Sequence, residues 1–127
     1  MEFTDKQPIY IQISDYFCDN IITRQWKEND KIPSVREVAV SLEVNPNTAM
    51  RSFTFLQEKE IIYNKRGIGY FVAENGYEKA LEMRKELFVE KELPSIFKSM
   101  LLLQISCSDI EKLYNLYKES NNDINIK

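Results

Sequence analysis

Three polar residues, Asn47, Thr48 and Arg51, stand close together in this sequence, and we call them the polar trio. Arginine pairs with guanine edges or phosphates, asparagine can pair with adenine, and threonine can hydrogen-bond a base or contact the thymine methyl group. Lys65 and Arg66 follow later in the chain and suit contacts with phosphate groups. These side chains can act together only if the fold holds them on one surface.

Two short consecutive helices are predicted around the polar trio. Ser34 and Glu37 have the spacing of a capping box, which predicts the first helix start. Asn45 can cap a second helix over residues 46–58, in which Pro46 takes the first position. Helical periodicity puts the polar trio on the side opposite an inward face. That face consists of Ala49, Ser52, Phe53 and Leu56.

A preceding helix and a following hairpin complete the N-terminal part of the chain. The helix is predicted over about residues 8–24 because apolar residues recur at every fourth position, and Asn29 is expected in a left-handed turn after it. Residues 61–73 change to a β pattern around a basic loop with Gly67 and Gly69, which predicts a hairpin. The recurring apolar residues of the helix are Ile9, Ile13, Phe17 and Ile21.

The C-terminal part returns to a helical pattern from residue 77 onward. It carries more apolar side chains than a single solvated helix needs. A proline predicts a kink or break near residues 92–94. Ser106 with Asp109 predicts the start of a last helix, from about residue 107 to 119.

Composition argues against several functions. The chain has 127 residues, 43% hydrophobic and 29% charged, which fits one ordinary domain or one small domain with an appendage. It contains no histidine, and its two cysteines, Cys18 and Cys107, lie far apart without a CxxC spacing. We therefore predict no catalytic residue, no metal site and no cofactor, and hence no enzyme. We interpret one row of glutamates as a solvated helix face: Glu78, Glu82, Glu86 and Glu90.

Charge and hydropathy bear on location and partners. The sequence has neither an apolar run long enough to span a bilayer nor the start of a signal peptide, which predicts a cytoplasmic protein without a membrane partner. The formal net charge is -3, so the whole chain is not attracted to nucleic acid. Residues 1–75 contain nine Lys or Arg against eleven Asp or Glu, so any binding to nucleic acid would have to depend on local cations and on a second subunit.

The order helix, turn, helix and basic hairpin is typical of a winged helix-turn-helix, whose second helix fits the major groove of DNA. We therefore predict a mostly α fold with a small β-wing. The helix 46–58 would lie in the major groove, and the wing, residues 61–73, would lie against adjacent DNA. Arg36, Lys65 and Arg66 would flank that surface as contacts to the DNA backbone.

Residues 8–72 closely resemble the winged-helix DNA-binding domain of the GntR family of bacterial transcription regulators. The resemblance rests on two stretches, PIYIQI and IPSVREVAVSLEVNPNTAMRSFTFLQEKEIIYNKRGIGYFV. It implies a homodimer whose partner is a double-stranded DNA operator. The matching positions at or near DNA are Arg36, Asn45, Asn47, Thr48, Arg51 and Gly67. Together with Ser34, Lys65 and Arg66 they make up the predicted set of DNA-binding residues.

The sequence departs from the family pattern at a few positions. Gln25, Asn29 and Glu60 stand where the family usually has glycine. Asparagine tolerates the left-handed region of backbone dihedrals, whereas the sequence does not predict the loop conformation at Gln25 and Glu60. Met50 stands where many relatives carry a polar or basic side chain, which would retune base reading.

The C-terminal part is too short for the large effector domain of most relatives, and its length and helices are similar to the YtrA-like branch, whose tail pairs two subunits. This resemblance implies a winged domain over residues 1–75 and a dimerisation segment of two to three helices over residues 76–127. It also implies a repressor, commonly of operons that encode membrane transporters. The predicted dimer interface contains Leu81, Leu87, Phe88, Ile96, Phe97, Met100, Leu101, Ile110, Leu113 and Tyr117.

Two other functional interpretations stay open. A winged helix can serve as a docking surface, so a protein-interaction adaptor is the alternative function. A groove between the C-terminal helices could hold a small-molecule effector, which is possible but not indicated by the sequence. Its candidate lining is Met83, Phe88, Phe97 and Met100.

Individual residues also have ordinary structural interpretations. Arg36 could pair with Glu37 or Glu43 on a solvated face, and the two cations of the hairpin could be surface charges. Thr48 could bond within its own helix. Asn45 fits a helix cap better than a base contact.

Overall fold

A computed structural model describes residues 1–5 and 7–121 of the chain. The polar tail, which the sequence predicts to be frayed, lies from residue 122 onward outside the described residues. The fold confirms the predicted mostly helical architecture with a two-stranded wing. Its elements are α1 (Ile9–Ile22), α2 (Val35–Leu42), α3 (Pro46–Glu58), β1 (Ile62–Lys65), β2 (Gly69–Val72), α4 (Gly76–Leu87), a π-helical stretch (Phe88–Glu92), α5 (Leu93–Leu103) and α6 (Cys107–Ser120).

The hydrophobic core forms where α1 crosses α3. Ile13, Phe17 and Ile21 of α1 are fully buried, and the Phe17 ring meets the Phe53 ring edge to face with centroids 5.2 Å apart. The predicted stripe is wrong at Ile9, which is exposed because it begins α1 at the rim of the core. The period-four pattern therefore identified the buried face of α1 from its second turn onward.

The helix starts of α2 and α3 confirm both predicted caps. The backbone N–H of Glu37 donates to Ser34 Oγ over 3.1 Å, and the backbone N–H of Ser34 donates to Glu37 Oε1 over 2.9 Å. Asn45 Oδ1 accepts a hydrogen bond from the backbone N–H of Asn47 over 2.7 Å. Glu43 ends α2 in the left-handed conformation, so the chain turns before α3 begins. The predicted inward face of α3 is fully buried at all four positions.

The wing is an antiparallel hairpin that gains a third backbone neighbour. β1 and β2 pair from Ile62 opposite Val72 to Lys65 opposite Gly69. The segment after α1 runs beside β2, where the N–H of Asn29 donates to the carbonyl of Val72 over 2.8 Å. The hairpin is thereby held to the helical core along one edge.

The left-handed positions confirm one expectation and answer two open ones. Asn29 has φ 66°, as predicted for a turn asparagine. Glu60 has φ 60°, so it occupies the left-handed conformation that glycine would favour. In the turn that follows α1, Arg24 takes the left-handed position with φ 66°, and Gln25 does not. The loop geometry there differs by one residue from the one the family pattern suggests.

The beginning of α4 packs into the N-terminal part of the chain. Gly76 and Ala80 are buried, and the Arg84 guanidinium lies 3.1 Å from an Asp15 carboxylate oxygen and 3.2 Å from one of Asp19. The chain accordingly forms two compact units: the first, over residues 1–84, is called the winged unit below, and the second covers residues 85–127. The predicted dimerisation segment thus starts on a helix whose first turns belong to the winged unit.

The second unit is helical. The kink or break predicted near residues 92–94 takes the form of the π-helical stretch. The chain stays helical through it, because Leu87 and Leu93 on either side keep right-handed helical dihedrals. Pro94 explains it: proline has no N–H to donate and its ring crowds the carbonyl four residues earlier, which a wider turn accommodates. The last helix begins with the predicted capping box of Ser106 and Asp109. Among residues 1–5 and 7–121, no helix has the length and apolar character of a membrane span.

Candidate nucleic-acid interface

The start of α3 presents the polar trio on its outer side. Asn47 and Arg51 are exposed and Thr48 is half-buried, whereas Ala49 and Ser52 between and beside them are fully buried. This alternation follows from the helical period, because four residues of one face are fixed in the core. The leading end of α3 therefore keeps hydrogen-bonding side chains accessible from outside.

The helix terminus adds its own polarity to this surface. The first turn of α3 contains no acidic residue. The partial positive charge of a helix N-terminus favours an anion nearby, and no carboxylate of α3 offsets it there. The side-chain oxygen of Asn45 is engaged as the cap, as the sequence suggested. Asn45 thus fixes the helix start: its side-chain oxygen accepts from the Asn47 N–H, and its carbonyl accepts from the N–H groups of Thr48 and Ala49.

Arg51 rests on an aromatic ring of α1. Its guanidinium carbon lies 4.1 Å from the centroid of the Tyr10 ring. Tyr10 belongs to the PIYIQI stretch that carries the family resemblance, but no role at the DNA surface was predicted for it, because the period-four pattern describes only the core-facing side of α1. The signal that could have identified Tyr10 is its position beside the buried stripe at the start of the helix.

The wing places two cations and one apolar side chain at its tip. Lys65 ends β1, with its Nζ 4.9 Å from the centroid of the Phe71 ring, and Arg66 follows in the turn. Gly67 has φ 79° and open space where a Cβ would stand. Ile68 is 59% exposed at this tip, a feature that the sequence analysis missed because alternation cannot orient a turn residue.

Lys31 is a further cation beside the wing that the sequence analysis missed. A Cβ added to Gly69, which has φ 144°, would stand 3.0 Å from the Lys31 Cε atom. The stem of Lys31 therefore passes closely over the Gly69 backbone. Such a contact between a loop and a hairpin depends on tertiary packing and leaves no local pattern in the sequence.

Arg36 in the first turn of α2 is exposed. Across the described part of the chain the salt bridges join Lys79 to Glu60 and Arg84 to two aspartates, and Arg36 takes part in none. The alternative pairing of Arg36 with Glu37 or Glu43 is therefore not formed. Glu37 instead accepts hydrogen bonding from the backbone and side chain of Ser34, which lowers the pKa of its carboxyl group.

The cations of the candidate surface lie outside the salt bridges found among the described residues. Within residues 1–5 and 7–121, Arg51, Lys65 and Arg66 also lie outside the salt bridges. α3 packs against both α2 and β1, so these elements are neighbours in the fold. All predicted DNA-binding residues are exposed except half-buried Thr48: Ser34, Arg36, Asn45, Asn47, Arg51, Lys65, Arg66 and Gly67.

The predicted dimer residues lie mostly in the second unit. Leu81 belongs to the first unit and is half-buried, as are Leu87 and Met100 of the second unit. The remaining residues of the set are exposed: Phe88, Ile96, Phe97, Leu101, Ile110, Leu113 and Tyr117. The glutamate row of α4 and the π-helical stretch is exposed too, in agreement with a solvated face. The described residues contain no group of three or more acidic or cysteine side chains suited to a metal ion.

A three-helix core with a basic hairpin, joined to a short helical segment, defines the class of winged helix-turn-helix regulators. The family model described as "Bacterial regulatory proteins, gntR family" matches residues 9–72, half of the chain, and the protein belongs to this family. Its members are transcription regulators and not enzymes.

Several relatives extend the similarity beyond the winged unit. The HTH-type transcriptional repressor YtrA of Bacillus subtilis (strain 168) is 31% identical over 121 residues, which cover 92% of this chain and 87% of YtrA. A solved structure of a GntR-family protein from Bacteroides thetaiotaomicron is 46% identical, with a TM-score of 0.72 over 88% of this chain and 97% of that chain.

A third relative matches over a shorter stretch. The HTH-type transcriptional regulator YhcF of Bacillus subtilis (strain 168) is 38% identical over 73 residues, 58% of this chain and 60% of YhcF. The similarity to YtrA and to the Bacteroides structure therefore includes the C-terminal helices, whereas the alignment with YhcF is confined to a part of each chain.

Proposed function

We propose that this protein is a homodimeric repressor that binds a double-stranded DNA operator sequence-specifically, with α3 in the major groove and the wing on adjacent DNA. The observation that carries the proposal is the start of α3, where a fully buried face opposes the accessible polar trio. The name of its relative YtrA, a transcriptional repressor, supports the direction of regulation. Such a protein acts on the chromosome, so we place it in the cytoplasm.

The proposed contacts divide into two kinds. Asn47, Thr48 and Arg51 would read base edges, because their donors and acceptors match the major groove. Arg36 would contact phosphates, and the helix terminus of α3 would favour one nearby. The hairpin residues that would contact the adjacent backbone or minor groove are Lys65, Arg66 and Gly67. Ser34 and Asn45 act beside the DNA mainly as caps, which fix where α2 and α3 begin.

The second unit supports the homodimer. α5 and α6 contain no buried residue in a single chain, although both carry leucines and aromatic residues. Leu101 is 82% exposed, and contiguous apolar surface of this kind is covered in most soluble proteins. A second copy of the same helices would cover it through a two-fold interface.

Dimerisation would also compensate for the small excess of acidic residues in the DNA-binding part of each subunit. With nine basic and eleven acidic residues in positions 1–75, one subunit offers few phosphate contacts. Each neutralised phosphate releases counterions, so two linked subunits would double the electrostatic contribution to the binding free energy. A two-fold dimer would contact half-sites about one helical turn, or a multiple of it, apart.

Footprinting and gel-shift titration on the DNA upstream of the protein's own gene, across salt concentrations, test the proposal. Arg51→Ala should weaken binding by about 1–3 kcal/mol and relax preference at one base pair. Lys59→Ala is the matched control, because it removes the same charge at the far end of α3. A uniform loss over all sequences would make Arg51 a phosphate contact, and no salt-dependent binding to any duplex would favour the adaptor.

A further inference from the structure

We infer that Tyr10 is a positioning residue for Arg51: its ring supports the flat face of the guanidinium and leaves the N–H edge free for a bidentate acceptor on DNA. The inference rests on the proposed DNA binding and deepens it. It starts from the 4.1 Å distance between the Arg51 guanidinium carbon and the centroid of the Tyr10 ring.

The Tyr10 ring is held in place by α3 itself. It meets the Phe55 ring edge to face, with centroids 6.0 Å apart and an interplanar angle of 76°. Phe55 stands four residues after Arg51, so both side chains point from the same side of α3. The tyrosine ring therefore lies between the first turns of α1 and the outer surface of α3.

The backbone of Tyr10 is fixed as well. Ser52 Oγ donates to the Tyr10 carbonyl oxygen over 2.8 Å, and Ser14 Oγ donates to the same oxygen over 2.8 Å. Both serines are fully buried. Because Ser52 follows Arg51 directly, the hydrogen bond ties Tyr10 to the turn of α3 that carries the arginine. These hydrogen bonds hold the Tyr10 backbone beside Arg51, and the contact with Phe55 holds its ring there.

The geometry suits an arginine better than a lysine. The flat face of a guanidinium stacks on the electron-rich face of an aromatic ring, whereas the five N–H donors lie in the plane of the guanidinium and point outward from its edge. Stacking therefore leaves the edge able to pair with the two acceptors of a guanine or with phosphate oxygens. Among the described residues Arg51 forms no salt bridge that would compete for that edge. Holding the side chain in advance reduces the entropy lost when DNA binds.

The contact is tested first in the free protein, by the NMR signal of the Arg51 side-chain Nε–H group. Stacking on Tyr10 should move this signal upfield by the ring current. Tyr10→Phe should keep the shift and Tyr10→Leu should abolish it. An unshifted signal in the wild-type protein would overturn the inference without any use of DNA.

The role in binding is tested by fluorescence anisotropy on the duplex protected in the footprint. Tyr10→Leu should weaken affinity for the duplex about two- to five-fold, which is the effect of an exposed cation–π contact. Tyr10→Phe keeps the aromatic ring and should bind as tightly as the wild type. In an Arg51→Ala background, Tyr10→Leu should have no further effect. Tyr16→Leu is the matched control, because Tyr16 is an exposed tyrosine of the same helix whose ring packs on Trp26.

Each contrary result has a separate meaning. An equal loss from Tyr10→Leu with and without Arg51, or no loss at all, would overturn the inference and leave the proposed function standing. A wild-type protein that binds no duplex would overturn the proposed function, and this role of Tyr10 with it.

Discussion

The Glu60 carboxylate accepts a hydrogen bond from the Lys79 ammonium group over 2.9 Å, while the Glu60 backbone is held at φ 60°. Both side chains are substantially exposed, so the ion pair contributes little to stability. The left-handed backbone disfavours any residue with a Cβ atom. The two effects oppose one another at the junction between α3 and the wing.

Glu60→Gly should therefore increase the free energy of unfolding by about 0.5–1 kcal/mol, which is the relief of backbone strain less the entropy of glycine in the unfolded chain. Urea denaturation measures the change. Glu60→Ala is the control, since it keeps the strained backbone and removes the Lys79 pair, and it should not be stabilising. A glycine variant no more stable than the alanine variant would contradict the assignment of strain to Glu60.

Gly76 should be the least tolerant glycine of the winged unit. A Cβ atom there would stand 2.7 Å from the Ile61 carbonyl oxygen and 2.9 Å from Val72 Cγ1. Gly76→Ala should lower the free energy of unfolding by about 1–3 kcal/mol, because backbone atoms of the wing would have to shift. Gly67→Ala, which meets open space but keeps a positive φ, should cost less in the same urea experiment. The reverse order would show that α4 can move away from the wing freely.

Local chemistry explains which parts of the fold and site could be predicted from the sequence. Each cap depends on a few adjacent side chains and backbone groups, so Ser34 and Asn45 could be assigned without knowing the rest of the chain. The inward face of α3 follows from the helical period alone. The hairpin follows from two apolar runs around Gly67 and Gly69. These features predicted the candidate DNA-binding surface.

Other features depend on contacts between distant residues. Tyr10 and Arg51 meet only because α1 packs across α3, and Lys31 reaches Gly69 only because the loop after α1 runs beside β2. The left-handed turn position fell on Arg24 because the end of α1 decides where the turn begins. Periodicity and spacing carry no information on such pairings, and single-sequence reasoning therefore missed them.

Cys18 should resist thiol reagents for as long as the protein is folded. Burial, and after it the Asp15 carboxylate, raise the pKa of the Cys18 thiol to about 12, so it holds its proton at neutral pH. Since the thiolate is the reactive form, iodoacetamide should not modify Cys18 before unfolding. Cys107→Ser removes the exposed thiol and isolates the signal. Mass spectrometry of this variant should show one label in denaturant and none without it. Rapid labelling of the folded variant would mean that the core around Cys18 opens readily.

The capping box of α2 should make stability depend on pH. Hydrogen bonding to the backbone and then the side chain of Ser34 lowers the pKa of Glu37 in the folded state. A lowered pKa stabilises the fold above the unfolded pKa, and this stabilisation is lost as pH falls through the folded value. Glu37→Gln should thus be less stable than wild type at neutral pH and equal to it in acid. Denaturation of both proteins at several pH values measures the difference.

Ser34→Ala separates the charge effect from the cap. It removes the hydroxyl and keeps the backbone N–H, which is the larger cause of the lowered Glu37 pKa. The variant should lose stability at every pH because the cap is lost, yet keep most of its acid sensitivity. A Glu37→Gln variant that retained the full pH dependence of the wild type would place the titrating group elsewhere.

Leu101→Lys should dissociate the proposed homodimer without unfolding either unit. Leu101 is so exposed in one chain that its removal costs little intramolecular packing, whereas a charge in an apolar interface between subunits opposes association. Analytical ultracentrifugation should show a monomer at concentrations where the wild type is dimeric, and affinity for the operator should fall because each subunit carries few phosphate contacts. Val40→Lys is the matched control, since Val40 is 73% exposed on α2 of the winged unit and should leave the dimer intact. If Leu101→Lys remained dimeric and bound DNA as tightly as the control, the apolar surface of α5 would have no part in pairing the subunits.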